Sequence, residues 1–285
     1  MELNKIAVIG AGFMGTGIAR VVASGKYIVS LRDISIDILD QSKMKIENQL
    51  KTSVAKGKIS EEEAKSIMDR ISFTEVLEAT VENADFIIEA VPENLELKKK
   101  VFSELDRVSK SSAILASNTS ELSIASIAES TLRKEKVIGT HWFSPPQVMK
   151  MIEIVVTPTT SQETLETTIS FCKKIGKETV ICKDAQGFIT SRAISALVAE
   201  CLKIHEDGIA SIEDIDKAMR LGFNHPLGPF QMMDMVGVDV VFHSLEALTK
   251  VYGDRFKPTK TMSQLVENGH LGQKTGKGFY NYSPK

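Results

Sequence analysis

Short apolar runs alternate with longer amphipathic stretches through the first two thirds of the chain. Lys5–Ile9 and Ile28–Arg32 are strand-like runs on either side of Gly12–Ser24, a helical stretch rich in small residues. Asp37–Lys56 reads as a long, polar, lysine-bearing helix. A second helix starts near Ser60, where Ser-Glu-Glu-Glu offers a capping box. Phe86–Ala90, Ile114–Ala116 and Val137–His141 are further strand-like runs. Met151–Val156 and Glu178–Cys182 follow, flanking a helical stretch at Gln162–Ile175. Strands separated by helices predict βαβ units and a mostly parallel sheet.

The texture changes after Asp184. Gly187–Glu206, Ser211–Leu221, Pro229–Met235, Val238–Tyr252 and Thr259–Asn268 all read as helices, and only Gly278–Tyr282 suggests a short strand. The pattern predicts an α/β protein with a doubly wound domain over residues 1–184 and an all-helical domain over 185–285.

Composition narrows the function classes. Hydrophobic residues at 42% and charged residues at 25% fit a soluble chain with a sizeable core. A net charge of -2 gives no basic excess for nucleic acid or an anionic membrane, though a local basic cluster can still receive a phosphorylated ligand. Cys172, Cys182 and Cys201 have neither C-x-x-C spacing nor an even count, so neither a zinc site nor a disulfide framework is expected. No signal-peptide pattern opens the chain, and no run of about 18 apolar residues occurs. The expectation is a protein of the cytoplasm.

Gly10-Ala11-Gly12-Phe13-Met14-Gly15 fits G-x-G-x-x-G between a strand and a helix, the context in which that pattern binds a dinucleotide. Gly10 permits the tight turn, Gly12 lets a pyrophosphate approach the backbone, and Gly15 lets helix and strand pack closely. The helix N-terminus adds free N–H groups. Asp33 ends the next strand, eighteen residues after Gly15, where a carboxylate accepts from both ribose hydroxyls and repels a 2′-phosphate. NAD is therefore expected, although Arg32 next door is of the type that meets a 2′-phosphate.

A dehydrogenase also needs a base. His141 ends a predicted strand ahead of Trp142-Phe143-Ser144-Pro145-Pro146, and Glu153 lies twelve residues on. If the chain turns at the prolines and returns antiparallel, the carboxylate can lie beside the imidazole, fix its tautomer and make the other nitrogen a better base. Ser117-Asn118-Thr119-Ser120 follows another strand at the same edge, and its spacing does not choose among the four.

These segments, with Glu89-Ala90-Val91-Pro92-Glu93-Asn94, Gly187-Phe188, His225-Pro226-Leu227-Gly228-Pro229 and Gly276-Lys277-Gly278-Phe279-Tyr280, resemble the L-3-hydroxyacyl-CoA dehydrogenase family along essentially the whole chain. The bacterial 3-hydroxybutyryl-CoA dehydrogenases are the members it resembles most. The resemblance implies reversible oxidation of an (S)-3-hydroxyacyl-CoA, His141 as base, Glu153 as its orienting partner and Ser120 on the reacting oxygen and the nicotinamide region. It implies NAD contacts from Asp33, Glu93, Lys98, Ser144 and Lys274, coenzyme A contacts from Gln49 and Lys56, and a homodimer. Ser191 stands where the family usually has Asn, and so does Ser144. A hydroxyl offers fewer hydrogen bonds than an amide. Two other functions fit: a dehydrogenase of a free hydroxy acid or sugar acid, and a dinucleotide-binding protein whose catalysis has decayed. Turnover of CoA esters against free acids separates them.

Overall fold

The computed structural model describes residues 3–282. The chain divides into two compact units, Met1–Asp184 and Ala185–Lys285.

In the first unit the elements run β1 (Lys5–Ile9), α1 (Phe13–Ser24), β2 (Ile28–Arg32), α2 (Ile36–Ala55), α3 (Glu61–Asp69) and β3 (Ile71–Thr74). They continue with α4 (Leu77–Val81), β4 (Phe86–Glu89), α5 (Leu95–Val108), β5 (Ile114–Ser117), α6 (Ile124–Ala128) and β6 (Val137–Trp142). β7 (Met151–Val156), α7 (Gln162–Lys174) and β8 (Glu178–Lys183) close the unit. The described residues build one eight-stranded sheet in the order β3-β2-β1-β4-β5-β6-β7-β8. Neighbouring strands are parallel from β3 through β6, and β7 turns back antiparallel to β6. β8 then pairs parallel with β7.

The central strands are apolar on both faces because helices cover both sides, as a parallel sheet requires. All four residues of β4 are buried, as are all four of β5. Strand order reverses between β1 and β4, so the crevice beyond their carboxyl ends is where an open α/β sheet binds ligands. Helix starts are set by side-chain caps: Ser60 Oγ accepts from Glu63 N at 3.0 Å, and Asn94 Oδ1 from Leu97 N at 2.9 Å. β3, α4, α5 and α6 are additions to the elements that the periodicity delineates.

Asp85 fastens the start of β1. Its carboxylate accepts from Asn4 N at 2.7 Å and Lys5 N at 3.0 Å and pairs with Lys110. Burial alone would raise this carboxyl, but the Lys110 hydrogen bond and charge, with the two backbone donors, hold it below the ordinary aspartate value of 3.8. A depressed folded-state value means that its stabilisation is present above pH 3.8 and is lost as pH falls through the depressed value. Asp85→Asn is therefore expected to flatten that part of the acid-unfolding curve, measured by circular dichroism. An unchanged curve contradicts the assignment.

The second unit contains α8 (Thr190–Glu206), α9 (Ile212–Phe223), α10 (Pro229–Val236), α11 (Val238–Tyr252) and α12 (Lys260–Glu267) around its own apolar core. Two expectations need correction. α8 starts at Thr190 rather than Gly187, because Gly187 and Phe188 sit at φ 76° and 47°, outside right-handed helix. Gly278–Tyr282 is not a strand and makes one isolated bridge, from Asn281 to Lys277. Its donors go to buried Asp234 instead, from Phe279 N, Tyr280 N and Tyr282 OH, each at 2.9 Å. Gly278 is required there, since a Cβ would lie 2.0 Å from Asp234 Oδ1.

Candidate active site

The glycine turn joins β1 to α1. Gly10 has φ 101°, and a Cβ there would fall 2.6 Å from the Ala90 carbonyl oxygen. A Cβ on Gly15 would lie 1.7 Å from the Gly10 carbonyl oxygen. Gly12 is the N-cap of α1 and supplies no side-chain cap, while the position of its missing Cβ faces open space. The N–H groups of this helix start are thus left to an anion. Ala11 N donates to Asp33 Oδ2 at 2.7 Å, which ties the turn to the carboxylate ending β2. Phe13 is exposed and Met14 half-buried at the first turn of α1. Arg32 Nε donates to the Glu75 carbonyl at 3.1 Å.

β4, β5 and β6 deliver the other polar groups to the same sheet edge. His141 and Glu153 are direct cross-strand partners on β6 and β7. His141 Nδ1 and Glu153 Oε2 are 2.6 Å apart, with Glu153 wholly buried and His141 nearly so. The antiparallel return predicted from the twelve-residue spacing therefore exists. Its loop packs closely on α1, since a Cβ on Gly17 would lie 2.9 Å from Pro146 Cγ. Lys177 Nζ holds the loop by donating to the Pro146 and Met149 carbonyls at 2.5 and 2.6 Å. The Phe143 ring lies 4.4 Å from the imidazole, centroid to centroid. Ser144 is exposed on this loop.

A buried ionic network lies behind the Ser117–Ser120 turn. Lys98 is fully buried and its ammonium sits 2.7 Å from Glu89 Oε1 and 3.4 Å from Glu93 Oε2. It also donates to the carbonyls of Val91 and Asn118, both at 3.3 Å. Glu89 accepts from Ser117 Oγ at 2.6 Å and Val91 N at 2.7 Å. Burial pushes the Glu89 carboxyl up, while the Lys98 charge and these hydrogen bonds pull against that rise. Glu93, exposed, accepts from Thr119 Oγ1 and from Ser120 N at 2.9 Å. Asn118 Oδ1 accepts from Trp142 N at 3.1 Å, which links the turn to the strand carrying His141. Ser120 is exposed at the end of this chain of contacts. Glu89, Ser117 and Asn118 had no sequence signal that separated them from an ordinary strand end.

Gln49 and Lys56 both line a cavity of about 360 Å³ beside the loop after β6. Ser191 and Lys274 belong to the second unit. Ser191 is half-buried in the first turn of α8. Lys274 pairs with Asp239 at 2.6 and 2.7 Å. Burial would raise Asp239, but the Lys274 hydrogen bond and charge outweigh it and hold the carboxyl low.

Two family models cover this chain: 3-hydroxyacyl-CoA dehydrogenase, NAD binding domain, over residues 5–185, and 3-hydroxyacyl-CoA dehydrogenase, C-terminal domain, over residues 187–282. The chain belongs to the 3-hydroxyacyl-CoA dehydrogenase family. It is 38% identical to a probable 3-hydroxybutyryl-CoA dehydrogenase of Bacillus subtilis, over 100% of this chain and 99% of the relative. It is 40% identical to the mitochondrial hydroxyacyl-coenzyme A dehydrogenase of Rattus norvegicus, over 98% of this chain and 91% of the relative. The solved (S)-3-hydroxybutyryl-CoA dehydrogenase of Ralstonia eutropha superposes with a TM-score of 0.97 at 33% identity, covering 99% of this chain and 100% of that one. The first unit is thus the NAD-binding domain of this dehydrogenase family, and the open, uncapped glycine turn with Asp33 at the end of β2 suits that dinucleotide. Among the described residues no helix is long and apolar enough to cross a membrane.

Proposed function

We propose that this protein catalyses the reversible, NAD-dependent oxidation of an (S)-3-hydroxyacyl-CoA, 3-hydroxybutyryl-CoA foremost, to the 3-oxoacyl-CoA. The observation that carries the proposal is the buried His141–Glu153 contact of 2.6 Å at the sheet edge that also bears the glycine turn. The names of the full-length relatives supply the substrate class.

With Glu153 accepting from Nδ1–H, the neutral imidazole of His141 turns Nε2 to the task of taking the 3-hydroxyl proton. In the reverse direction the same nitrogen returns that proton to the carbonyl oxygen. Ser120 donates a hydrogen bond to the oxygen at carbon 3 and steadies it while its charge changes. Lys98 holds Glu93, and Glu93 holds Ser120 N, so the turn keeps its place through the reaction. When bound, NAD supplies the hydride acceptor. The glycine turn of Gly10–Gly15 would hold its pyrophosphate and Asp33 its ribose, with Glu93, Ser144 and Lys274 as further contacts. Ser191 would donate a hydrogen bond to the substrate.

Asp33 also sets the choice of dinucleotide. Arg32 spends its Nε on a backbone carbonyl, while the carboxylate is fixed to the glycine turn through Ala11 N, which makes Asp33 the group held in place to discriminate. Asp33→Ala is expected to weaken NAD binding about tenfold, the loss of a charge-assisted hydrogen bond. It should also narrow the preference over NADP, read by fluorescence titration of both reduced cofactors. An unchanged preference refutes this role.

The second unit exposes Leu221 and Phe223 at the end of α9 and Met235 and Val236 at the end of α10, apolar surface of the kind that mates with another chain. We extend the proposal to a homodimer formed through this unit. The absence of disulfides among the three cysteines fits a reducing compartment such as the cytoplasm.

The substrate class is tested by initial rates with acetoacetyl-CoA and with free acetoacetate. The proposal expects the thioester to be strongly preferred. Equal or greater turnover of the free acid overturns it in favour of a hydroxy-acid dehydrogenase.

A further inference from the structure

Arg20 is the single charged residue of α1, a helix otherwise built from small and apolar side chains. It is half-buried. Its guanidinium donates to Gln49 Oε1 at 3.1 Å and to Ser53 Oγ at 2.8 Å, both uncharged groups on α2. Burial pulls its pKa down and no acidic neighbour pulls it back. A guanidinium has five N–H donors, so these two bonds leave three for another partner. A cation taken partly out of water without a counter-ion costs free energy that a bound anion recovers.

Arg20 stands where two neighbouring cavities meet. One has a volume of about 470 Å³, the other about 360 Å³, and both are also lined by Gln147 and Val148. Lys150, Lys174 and Lys177 line the first, and Lys56 and Lys58 the second. Among the described residues no Asp or Glu lines either cavity, in a chain whose net charge is -2. Gln147 and Val148 belong to the loop that leaves the strand of His141, so this basic cleft shares a wall with the catalytic edge. All of these residues lie in the first unit.

Resting on the function proposed above, we propose that Arg20 is the phosphate anchor for the nucleotide end of the CoA ester. With Lys56 and Lys58 it selects CoA thioesters over thioesters of a phosphate-free carrier. The nucleotide of CoA carries a diphosphate and a separate 3′-phosphate, an anion matched to several cations spread along a cleft. Arginine suits the anchoring position because its planar fork meets two phosphate oxygens at once.

The test is the ratio of kcat/KM for acetoacetyl-CoA to that for acetoacetyl-N-acetylcysteamine, which keeps the acyl group and thioester and lacks the nucleotide. Arg20→Gln is expected to lower this ratio about tenfold, the loss of a charge-assisted contact, while Arg20→Lys retains most of it. A role confined to clamping α1 to α2 depresses both substrates together, and an unchanged ratio in Arg20→Gln therefore overturns the proposal. Lys58→Met probes the same cleft without touching the clamp and should lower the ratio in the same sense, should Arg20→Gln fail to fold. An unchanged ratio in Lys58→Met would then count against the cleft. Calorimetry with free CoA separates this inference from the reading beneath it. If the wild-type protein reduces neither thioester, the proposed function falls, and CoA binding weakened about tenfold in Arg20→Gln still supports the anchor. Equal CoA affinity in both proteins overturns it. A parallel NAD titration separates the two sources of diphosphate, since weakened NAD with unchanged CoA also overturns it.

Discussion

Replacing His141 with glutamine is expected to lower kcat about 10²–10⁴-fold, the range that a positioned general base contributes. The dinucleotide should still bind, because the glycine turn and Asp33 belong to β1, α1 and β2 and are tied to each other by the Ala11 N to Asp33 Oδ2 hydrogen bond, in which the imidazole takes no part. Glutamine keeps a polar side chain on β6 but has no titrating nitrogen. Glu153→Gln is expected to act in the same direction, since the amide cannot hold Nδ1–H as a carboxylate does. The two residues work as one unit, so the double variant should be scarcely slower than His141→Gln alone. Steady-state rates of the four proteins, with a separate NADH binding titration, check this. Multiplicative losses in the double variant contradict a shared role, and unchanged rates in either single variant refute the pair.

Glu89→Gln is expected to be the most destabilising single substitution in the first unit among those considered. Lys98 and Glu89 are both fully buried and 2.7 Å apart. Taking the charge from one partner of such a pair leaves the other ionised in a site with little water. That costs about 3–5 kcal/mol. Glu93, 3.4 Å from the same ammonium, offsets part of this, so about 3 kcal/mol is expected. For a unit of this size that lowers the thermal midpoint by about 6–12 °C. The loss reaches the site as well. Lys98 holds Glu93, Glu93 accepts from Thr119 Oγ1 and Ser120 N, and Asn118 Oδ1 receives Trp142 N. Loosening the centre of this network should lower turnover in the fraction that remains folded. A midpoint within about 1–2 °C of wild type contradicts the assignment of a buried charge that depends on its partner. Lys98→Met is the complementary case, since it leaves Glu89 buried with Ser117 Oγ and Val91 N as donors and without its cation.

Much of the site was legible because local rules govern it. The glycines of 10–15 are placed by backbone geometry, and Asp33 by the length of one βα unit. The His141–Glu153 pair was legible because the two prolines and the twelve-residue spacing allow an antiparallel return. The buried network was not. Lys98 is one of three consecutive lysines in a stretch where the sequence pattern delineates no element, and only the folded placement of α5 turns it inward to Glu89. Resemblance alone gave it a direct contact with the dinucleotide, whereas in the structure its ammonium is taken up by Glu89, Glu93 and two carbonyls. Arg20 gave a faint signal as one cation in a run of small and apolar residues.

Three of the four elements that periodicity missed are short, and α5, with 14 residues, is the exception. α4 and α6 have five residues each and β3 has four, too few for a repeat of 3.6 or of 2 to stand out. The tail failed differently. Gly278–Tyr282 has the aromatic and glycine texture of a strand, yet a buried aspartate 45 residues from Phe279 captures its backbone donors. No local pattern announces that partner. Buried thiols illustrate the same point, since burial pushes Cys172 up to about 12 and Cys201 up to about 11, which makes both poor nucleophiles despite their free state.

The central claim is that NAD oxidises the hydroxyl of a CoA ester while His141, set by Glu153, takes its proton. The most direct measurement is the appearance of NADH when purified protein and NAD are given (S)-3-hydroxybutyryl-CoA, with the (R) ester and the His141→Gln protein as controls. NADH is expected from the (S) ester with wild type, and at most traces from either control. No NADH from the (S) ester, or an equal rate from His141→Gln, would contradict it.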